Sequence, residues 1–188
     1  MKNRKDSVKK MYGLFSGRWY DPFQKIWGPK KQVEDTFVSK LRRLSDKDTR
    51  ILDLGCGTGA NFQRLIENHI PFKEYHGIDM TPEMLTIAKK KYPEGNFRIS
   101  NIENIPGEYD LTISSWFFEH LTQEQRKNIL KRKGKHLHMY LGGRKRYNLF
   151  LQLFAYFFNF IYVDDSQLKG KKTQYSIATT ILEREKKI

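Results

Sequence analysis

Residues 51–60, ILDLGCGTGA, set an apolar run of strand length against three glycines at alternate positions, with one acid, Asp53, inside the run. Few arrangements use such a stretch. Gly55, Gly57 and Gly59 sit where a strand turns into a helix. Lacking Cβ atoms, they let the turn be tight and let a ligand lie against backbone amides. Dinucleotide-binding folds use a similar turn, in which glycines and a helix N-terminus hold a pyrophosphate. Asp53 argues for a different ligand. Two residues before the first glycine, it would set a negative charge beside a pyrophosphate, whereas a ligand with cationic groups and no phosphate gains from it.

Around this turn the chain alternates strand and helix patterns. Candidate strands are RILDL (50–54), EYHGID (74–79), NFRIS (96–100), YDLTISS (109–115) and KHLHMYL (135–141). Between them, NFQRLIEN, PEMLTIAKKKY and TQEQRKNILKRK have helical periodicity, and Thr81 is placed to cap the second of these. The alternation predicts an α/β fold: a Rossmann-like, mostly parallel sheet with helices on both faces. The first fifty residues read as helical. One helix carries Val8, Met11, Tyr12 and Phe15, and after the turn-like GRWYDP a second carries Val33, Phe37, Val38, Leu41 and Leu44. At 188 residues with no repeat or low-complexity linker, one domain over 1–188 is expected. It divides into an N-terminal helical lid (1–49), a cofactor-binding core (50–141) and a C-terminal helix with strands (142–188).

With the motifs in order, a family resemblance emerges. LDLGCGTG resembles motif I of the class I S-adenosylmethionine-dependent methyltransferases, and GIDMTPEMLTIAKKK resembles their second motif, with Asp79 ending the second strand. SNIENIP is similar to the family's GDAENLP segment, and YDLTISSWFFEHL to its fourth-strand motif with the EHL that often follows. The resemblance runs from Arg50 to about Leu121. It implies S-adenosyl-L-methionine as cofactor and an enzyme that transfers its methyl group. Asp53, Gly55 and Gly57 would line the methionine end, Gly59 completing the turn, and Asp79 would accept from both ribose hydroxyls. Met80 would pack on the adenine, Asn101 and Ile102 would contact its edge, and Ser114 and Ser115 would sit near the transferring end. Asn101 stands where the family commonly has Asp, so acceptance from the adenine amino group lacks charge assistance. LKRKGKHL replaces the usual LKPGG before strand five, and the common Gly-Phe element near the C-terminus is missing.

Displacement at a sulfonium methyl asks little of acid–base groups, because the leaving group departs as a neutral thioether. The protein has to align the reactants and exclude water, and a base is needed only for a protonated acceptor. His120, just past strand four, is the candidate base. Trp116, Phe117 or Phe118 can face the sulfonium, an effect of ~0.5–2 kcal/mol. Cys56 inside the turn reads as a small filler. His136 and His138 share a face of strand five, but no third ligand is placed by sequence, so no metal is expected. SGRWYDPF resembles the helix-to-core junction of quinone C-methyltransferases and phospholipid N-methyltransferases, which closes over the cofactor. That makes Tyr20 a candidate contact to the methionine carboxylate and Tyr12 a pocket lid.

Charge and aromatic content bear on the acceptor. The net charge is +14, distributed as +8 over residues 1–50, −4 over 51–120 and +10 over 121–188. A mildly acidic centre between basic ends suits a cationic ligand and an anionic partner. The lone cysteine, Cys56, excludes an internal disulfide, and no signal-peptide pattern opens the sequence, so a cytoplasmic location is expected. Residues 144–163, RKRYNLFLQLFAYFFNFIYV, form an aromatic helix pattern with Asn148, Gln152, Ala155 and Asn159 on one narrow stripe. Such a helix either packs against the sheet or lies in a membrane interface, with Arg144, Lys145 and Arg146 on anionic headgroups. The leading expectation is a small-molecule or lipid-like acceptor, with peripheral contact to an anionic membrane. The alternative is an RNA acceptor held by the basic flanks, and a third reading is a cofactor-binding protein without catalysis. Vesicle sedimentation with the pair Phe154→Ser and Phe158→Ser separates the two placements of the helix. A lipid-facing helix gives binding to anionic vesicles that the pair reduces at nearly constant melting temperature. A core helix gives no vesicle binding and a collapse of stability, since buried Phe truncations cost ~3–5 kcal/mol each.

Overall fold

The computed structural model describes residues 31–105, 107–143, 163–164, 168–174 and 179–185. The first helix, Tyr12, Tyr20 and the aromatic stretch from 144 to 162 lie outside the described residues. Helix α1 spans Lys31–Leu44, and strand β1 spans Arg50–Leu54. Then follow α2 (Ala60–Glu67), β2 (Glu74–Asp79), α3 (Pro82–Lys91), β3 (Asn96–Ile99) and β4 (Leu111–Ser115). Helix α4 (Gln123–Lys131) leads to β5 (Lys135–Gly143), and β6 (Val163–Asp164), β7 (Lys171–Gln174) and β8 (Thr179–Arg184) complete the described elements. Single 3₁₀ turns lie at Ile102–Asn104 and Phe118–His120.

The strands join in the order β3-β2-β1-β4-β5-β8-β7, with β6 pairing the end of β5. β1 to β5 run parallel, and β8 is antiparallel to both β5 and β7. The expected mostly parallel sheet is therefore the observed one. From β1 the chain winds outward through β2 and β3, then returns to place β4 on the other side of β1. That reversal opens a crevice at the C-terminal ends of β1 and β4, where open α/β sheets bind ligands.

Strand alternation sends successive side chains to opposite layers. Ile51, Leu111, Ile113, Leu137 and Met139 face a core filled by Phe37 and Leu41 of α1, Phe62 and Leu65 of α2, and Leu85 and Ala88 of α3. Leu52, Leu54 and Ile78 face the other layer, with Phe118 and with Ile129 and Leu130 of α4. The α1 stripe expected from its spacing is buried at Val33, Phe37, Leu41 and Leu44, with Val38 partly covered. Ion pairs also fasten α1 to the far strand. Lys40 Nζ donates to Glu183 Oε2 of β8 at 2.7 Å, and Arg43 pairs with Glu183 and Glu185. Burial opposes ionisation of Glu183, yet these cations hold its carboxyl below the usual range.

Two local readings are refined by the structure. Thr81 occupies the N-cap of α3, but its side chain makes no cap hydrogen bond. Instead its backbone N–H and hydroxyl bond to Asp79. Before β5, in place of a Pro-Gly-Gly turn, Gly134 takes φ +90°, and a Cβ there would lie 2.4 Å from the Tyr109 carbonyl oxygen. Gly134→Ala should therefore cost at least ~1–3 kcal/mol from the left-handed backbone alone, measured as a lowered urea midpoint.

Candidate active site

Three strand ends and the turn after β1 build the site. The backbone N–H groups of Gly55 and Cys56 both donate to the Ile78 carbonyl, at 2.9 and 3.0 Å, which ties the turn to β2. Gly57 N–H donates to Asp79 Oδ2 at 3.0 Å, and Thr81 N–H to Asp79 Oδ1 at 2.8 Å. Asp79 is thus held at the lip of the crevice, half-buried. Burial raises its carboxyl above the ordinary value against the pull of these donors. Gly57 itself has φ +54°, and the position of a Cβ there meets nothing within 4 Å. The glycine turn consequently presents open backbone at its middle position. At Gly55 the ring of Phe117 occupies that place, 2.3 Å from an added Cβ, and at Gly59 Tyr92 lies at 2.9 Å.

Asp53 lies deeper, fully buried. Tyr75 Oη donates to its Oδ2 at 2.6 Å and Asn61 Nδ2 to its Oδ1 at 2.8 Å. Burial pushes its carboxyl up to about 7, while Tyr75, Asn61 and Arg64 pull it down. Asn61 receives Ser115 Oγ at 2.8 Å and Arg64 Nη1 at 2.7 Å on its own oxygen. Arg64 in turn grips Glu34 of α1 with two bonds of 2.7 Å. Sequence reading did not single out Tyr75, Asn61, Arg64 or Glu34. One signal was available: Asn61 shares a helix face with the apolar Leu65, where a polar residue must find an internal partner.

The expected site residues separate by layer. Ser115 faces the Asp53 network, whereas Ser114 turns to the opposite layer and meets His138 Nδ1 at 2.8 Å, wholly buried. His138 is neutral there, since burial and then His136 hold its imidazole well below the ordinary range. Met80 and Ile102 are half-buried, Ile102 against the second core layer, and the Asn101 amide donates to Glu103 Oε2 at 3.0 Å. His120 closes the 3₁₀ turn after β4, half-buried. Arg126 of α4 fixes that turn by donating to the Phe118 and Leu121 carbonyls at 2.8 and 2.6 Å. Of the three aromatics, Phe118 is core, stacked 4.1 Å from the His138 ring. Trp116 and Phe117 are half-buried just past β4, Trp116 against one core layer and Phe117 against the other. Trp116 has φ +56°, a strained value for a bulky side chain, at the end of β4.

Residues 51–139 match the family model described as a methyltransferase domain. Over these residues the chain is similar to the class I S-adenosylmethionine-dependent methyltransferases. Demethylmenaquinone methyltransferase of Thermotoga maritima is 31% identical over 94 residues, 46% of this chain and 41% of that protein. Malonyl-[acyl-carrier protein] O-methyltransferase of Acetivibrio thermocellus is 32% identical over 116 residues, 60% of this chain and 40% of that protein. The matches thus span about two fifths of these curated relatives' length. Among solved structures, magnesium protoporphyrin IX methyltransferase from Synechocystis PCC 6803 with bound S-adenosylhomocysteine superimposes with a TM-score of 0.65. The overlap covers 96% of this chain and 98% of that one at 17% identity, a likeness of fold.

Asp53 is an acid whose charge is costly where it sits. An acid raised from its unfolded value makes stability fall as pH rises between the two values, by about 1.4 kcal/mol per unit at most. For Asp53 that window runs from the ordinary carboxylate range up to about 7. Asp53→Asn removes the charge, so its melting temperature relative to the wild type should improve from pH 5 to about pH 7 and level off above that. Parallel melting curves for the two proteins check this.

Proposed function

We propose that this chain transfers a methyl group from S-adenosyl-L-methionine to a small-molecule or lipid-like acceptor. The observation that carries the reading is the crevice at the sheet's switch point. Two acids, Asp53 and Asp79, flank a glycine turn whose middle residue is open to a ligand. A ligand with an ammonium, a sulfonium and a ribose suits that donor set better than any phosphate does. In this reading Asp53, Gly55, Gly57 and Gly59 hold the methionine end, and Asp79 accepts from the ribose hydroxyls. Met80, Asn101 and Ile102 border the adenine. Ser115 serves the transferring end through Asn61, and Ser114 supports it from the layer behind.

When bound, the cofactor supplies a methyl on a positively charged sulfur, which keeps the electron pair of the broken bond. The residues of this chain have three tasks. Asp79 and the glycine turn fix the position of the donor. Trp116 and Phe117 shield the crevice from water and present aromatic faces to positive charge. His120 takes a proton from the acceptor where the acceptor arrives protonated, and Tyr20 meets the methionine carboxylate. The relatives are named for demethylmenaquinone, malonyl-[acyl-carrier protein] and magnesium protoporphyrin IX. Those names support an acceptor of the small-molecule or lipid-like class for this chain too. None of the described helices is long and apolar enough to cross a membrane, so any membrane contact through the described part is peripheral.

The test is calorimetry with S-adenosylmethionine, followed by conversion to S-adenosylhomocysteine in the presence of lipid extract. Saturable binding is expected. Asp79→Ala should weaken it by ~1.5–3 kcal/mol, the worth of hydrogen bonds to a charged group, and Gly57→Val should abolish it, with a backbone cost of ~1–3 kcal/mol besides at that left-handed position. Unchanged binding in Asp79→Ala would remove the ribose assignment, and absence of binding in the wild type would remove the reading altogether.

A further inference from the structure

The polar chain that begins at Asp53 runs out of the crevice and into the N-terminal helix. Both Asp53 oxygens are taken by neutral donors, Asn61 Nδ2 and Tyr75 Oη, and no cation touches them among the described residues. The cation lies one side chain further back. Arg64 Nη1 and Ser115 Oγ both donate to Asn61 Oδ1, at 2.7 and 2.8 Å. With two donors on its oxygen, the Asn61 amide has only one orientation that satisfies its partners, and that orientation aims Nδ2 at Asp53. The rest of the guanidinium is held by Glu34 in a two-pronged pair and lies 5.7 Å from the centre of the Phe37 ring. Glu34 and Phe37 both belong to α1.

We propose that Arg64 and Glu34 are positioning residues that hold Asp53 as the charged acceptor for the amino-acid end of the cofactor. The proposal rests on the cofactor assignment above and adds a control that the glycine turn does not contain. The groups acting on Asp53 come from every side. Tyr75 and Asp79 belong to β2, Cys56 to the glycine turn, Arg64 to α2 with Glu34 of α1 behind it, and Ser115 to β4. Arg64 supplies the positive charge of that set, and Glu34 offsets part of it. Burial sets the protonation of Asp53 near neutral pH, where these neighbours can tip it.

The sign follows from charge. Protonated Asp53 has lost the negative charge that attracts an ammonium, so affinity falls as pH drops below the Asp53 value, by roughly tenfold per unit at the limit. Loss of the Arg64 cation favours the protonated form and moves the inflection up. Loss of the Glu34 charge leaves Arg64 uncompensated and moves it down. Two halves of one ion pair should thus act in opposite directions. A pair that only braced α1 would weaken both variants alike and leave the inflection in place.

The experiment is calorimetric titration of S-adenosylhomocysteine from about pH 5.5 to about pH 8.5, against wild type, Arg64→Met, Arg64→Lys and Glu34→Gln. 5′-Methylthioadenosine, which lacks the amino-acid end, is the control ligand. The wild type should show an inflection near 7. Arg64→Met should raise it and weaken binding at neutral pH by roughly three- to tenfold. Arg64→Lys should restore it in part, and Glu34→Gln should lower it. The control ligand should bind every variant without an inflection. Shifts in the same direction for Arg64→Met and Glu34→Gln, or no shift in either, overturn the proposal. Should Arg64→Met fail to fold, Glu34→Gln decides, as its side chain is the more exposed of the pair. Binding of the control ligand with a flat profile for S-adenosylhomocysteine keeps the cofactor reading and sinks the relay. Binding of neither nucleoside by the wild type sinks both.

Discussion

A carboxylate that no cation touches among the described residues, Asp53, is the constraint around which this structure is arranged. Asp53 sits in the middle of a parallel sheet, where a lone charge is expensive, and the chain surrounds it with groups that meet its hydrogen-bonding needs while cancelling little of its charge. Tyr75 and Asn61 donate without neutralising, and the nearby Arg64 guanidinium is shared with Glu34. The result is a site with unspent negative potential. In the proposed reading a cationic ligand completes it, and a phosphate is disfavoured there. The same reasoning explains why the glycine turn differs electrostatically from the dinucleotide turn it resembles in shape.

The sheet topology turns this local arrangement into a crevice. Because β4 lies on the opposite side of β1 from β2, the loops that leave β1 and β4 diverge, with Asp79 and Ser115 ending β2 and β4 and Gly57 in the turn after β1. Trp116 accepts a left-handed backbone at this divergence. Its neighbours fix it there: its N–H donates to the Met139 carbonyl, and Arg126 anchors the turn that follows. Backbone strain held in place by surrounding hydrogen bonds is a common property of ligand-facing turns.

Much of this was legible before any coordinates. β1 and β2 follow the written boundaries, because an apolar run bounded by glycines or charged residues leaves little choice of register. The mostly parallel sheet followed from the alternation of strand and helix patterns together with the resemblance. The rest was hidden for identifiable reasons. Arg64 and Glu34 are 30 residues apart and meet only through the packing of α1 on α2. Ser114 and Ser115 looked equivalent as a pair, although strand alternation forbids both from facing one crevice. Thr81 has the right identity for a cap, but the carboxylate of Asp79 lies closer and captures it. Trp116 shows no mark of its positive φ, since nothing about a tryptophan invites that conformation.

Lys40 of α1 and Glu183 of β8 lie 143 residues apart, nearly the whole described chain. On a growing polypeptide, every residue that borders the crevice has emerged long before β8 is made. The ion pairs that hold the far end of α1 must nevertheless wait for β8 to find its place beside β5. Contacts of such long range carry a large closure cost and form late. The helix that presents Glu34 to Arg64 is therefore the first described element to be synthesised, while the clamp on its C-terminal half is completed only by the last. A nascent chain can possess every group around Asp53 and still lack the final brace on α1.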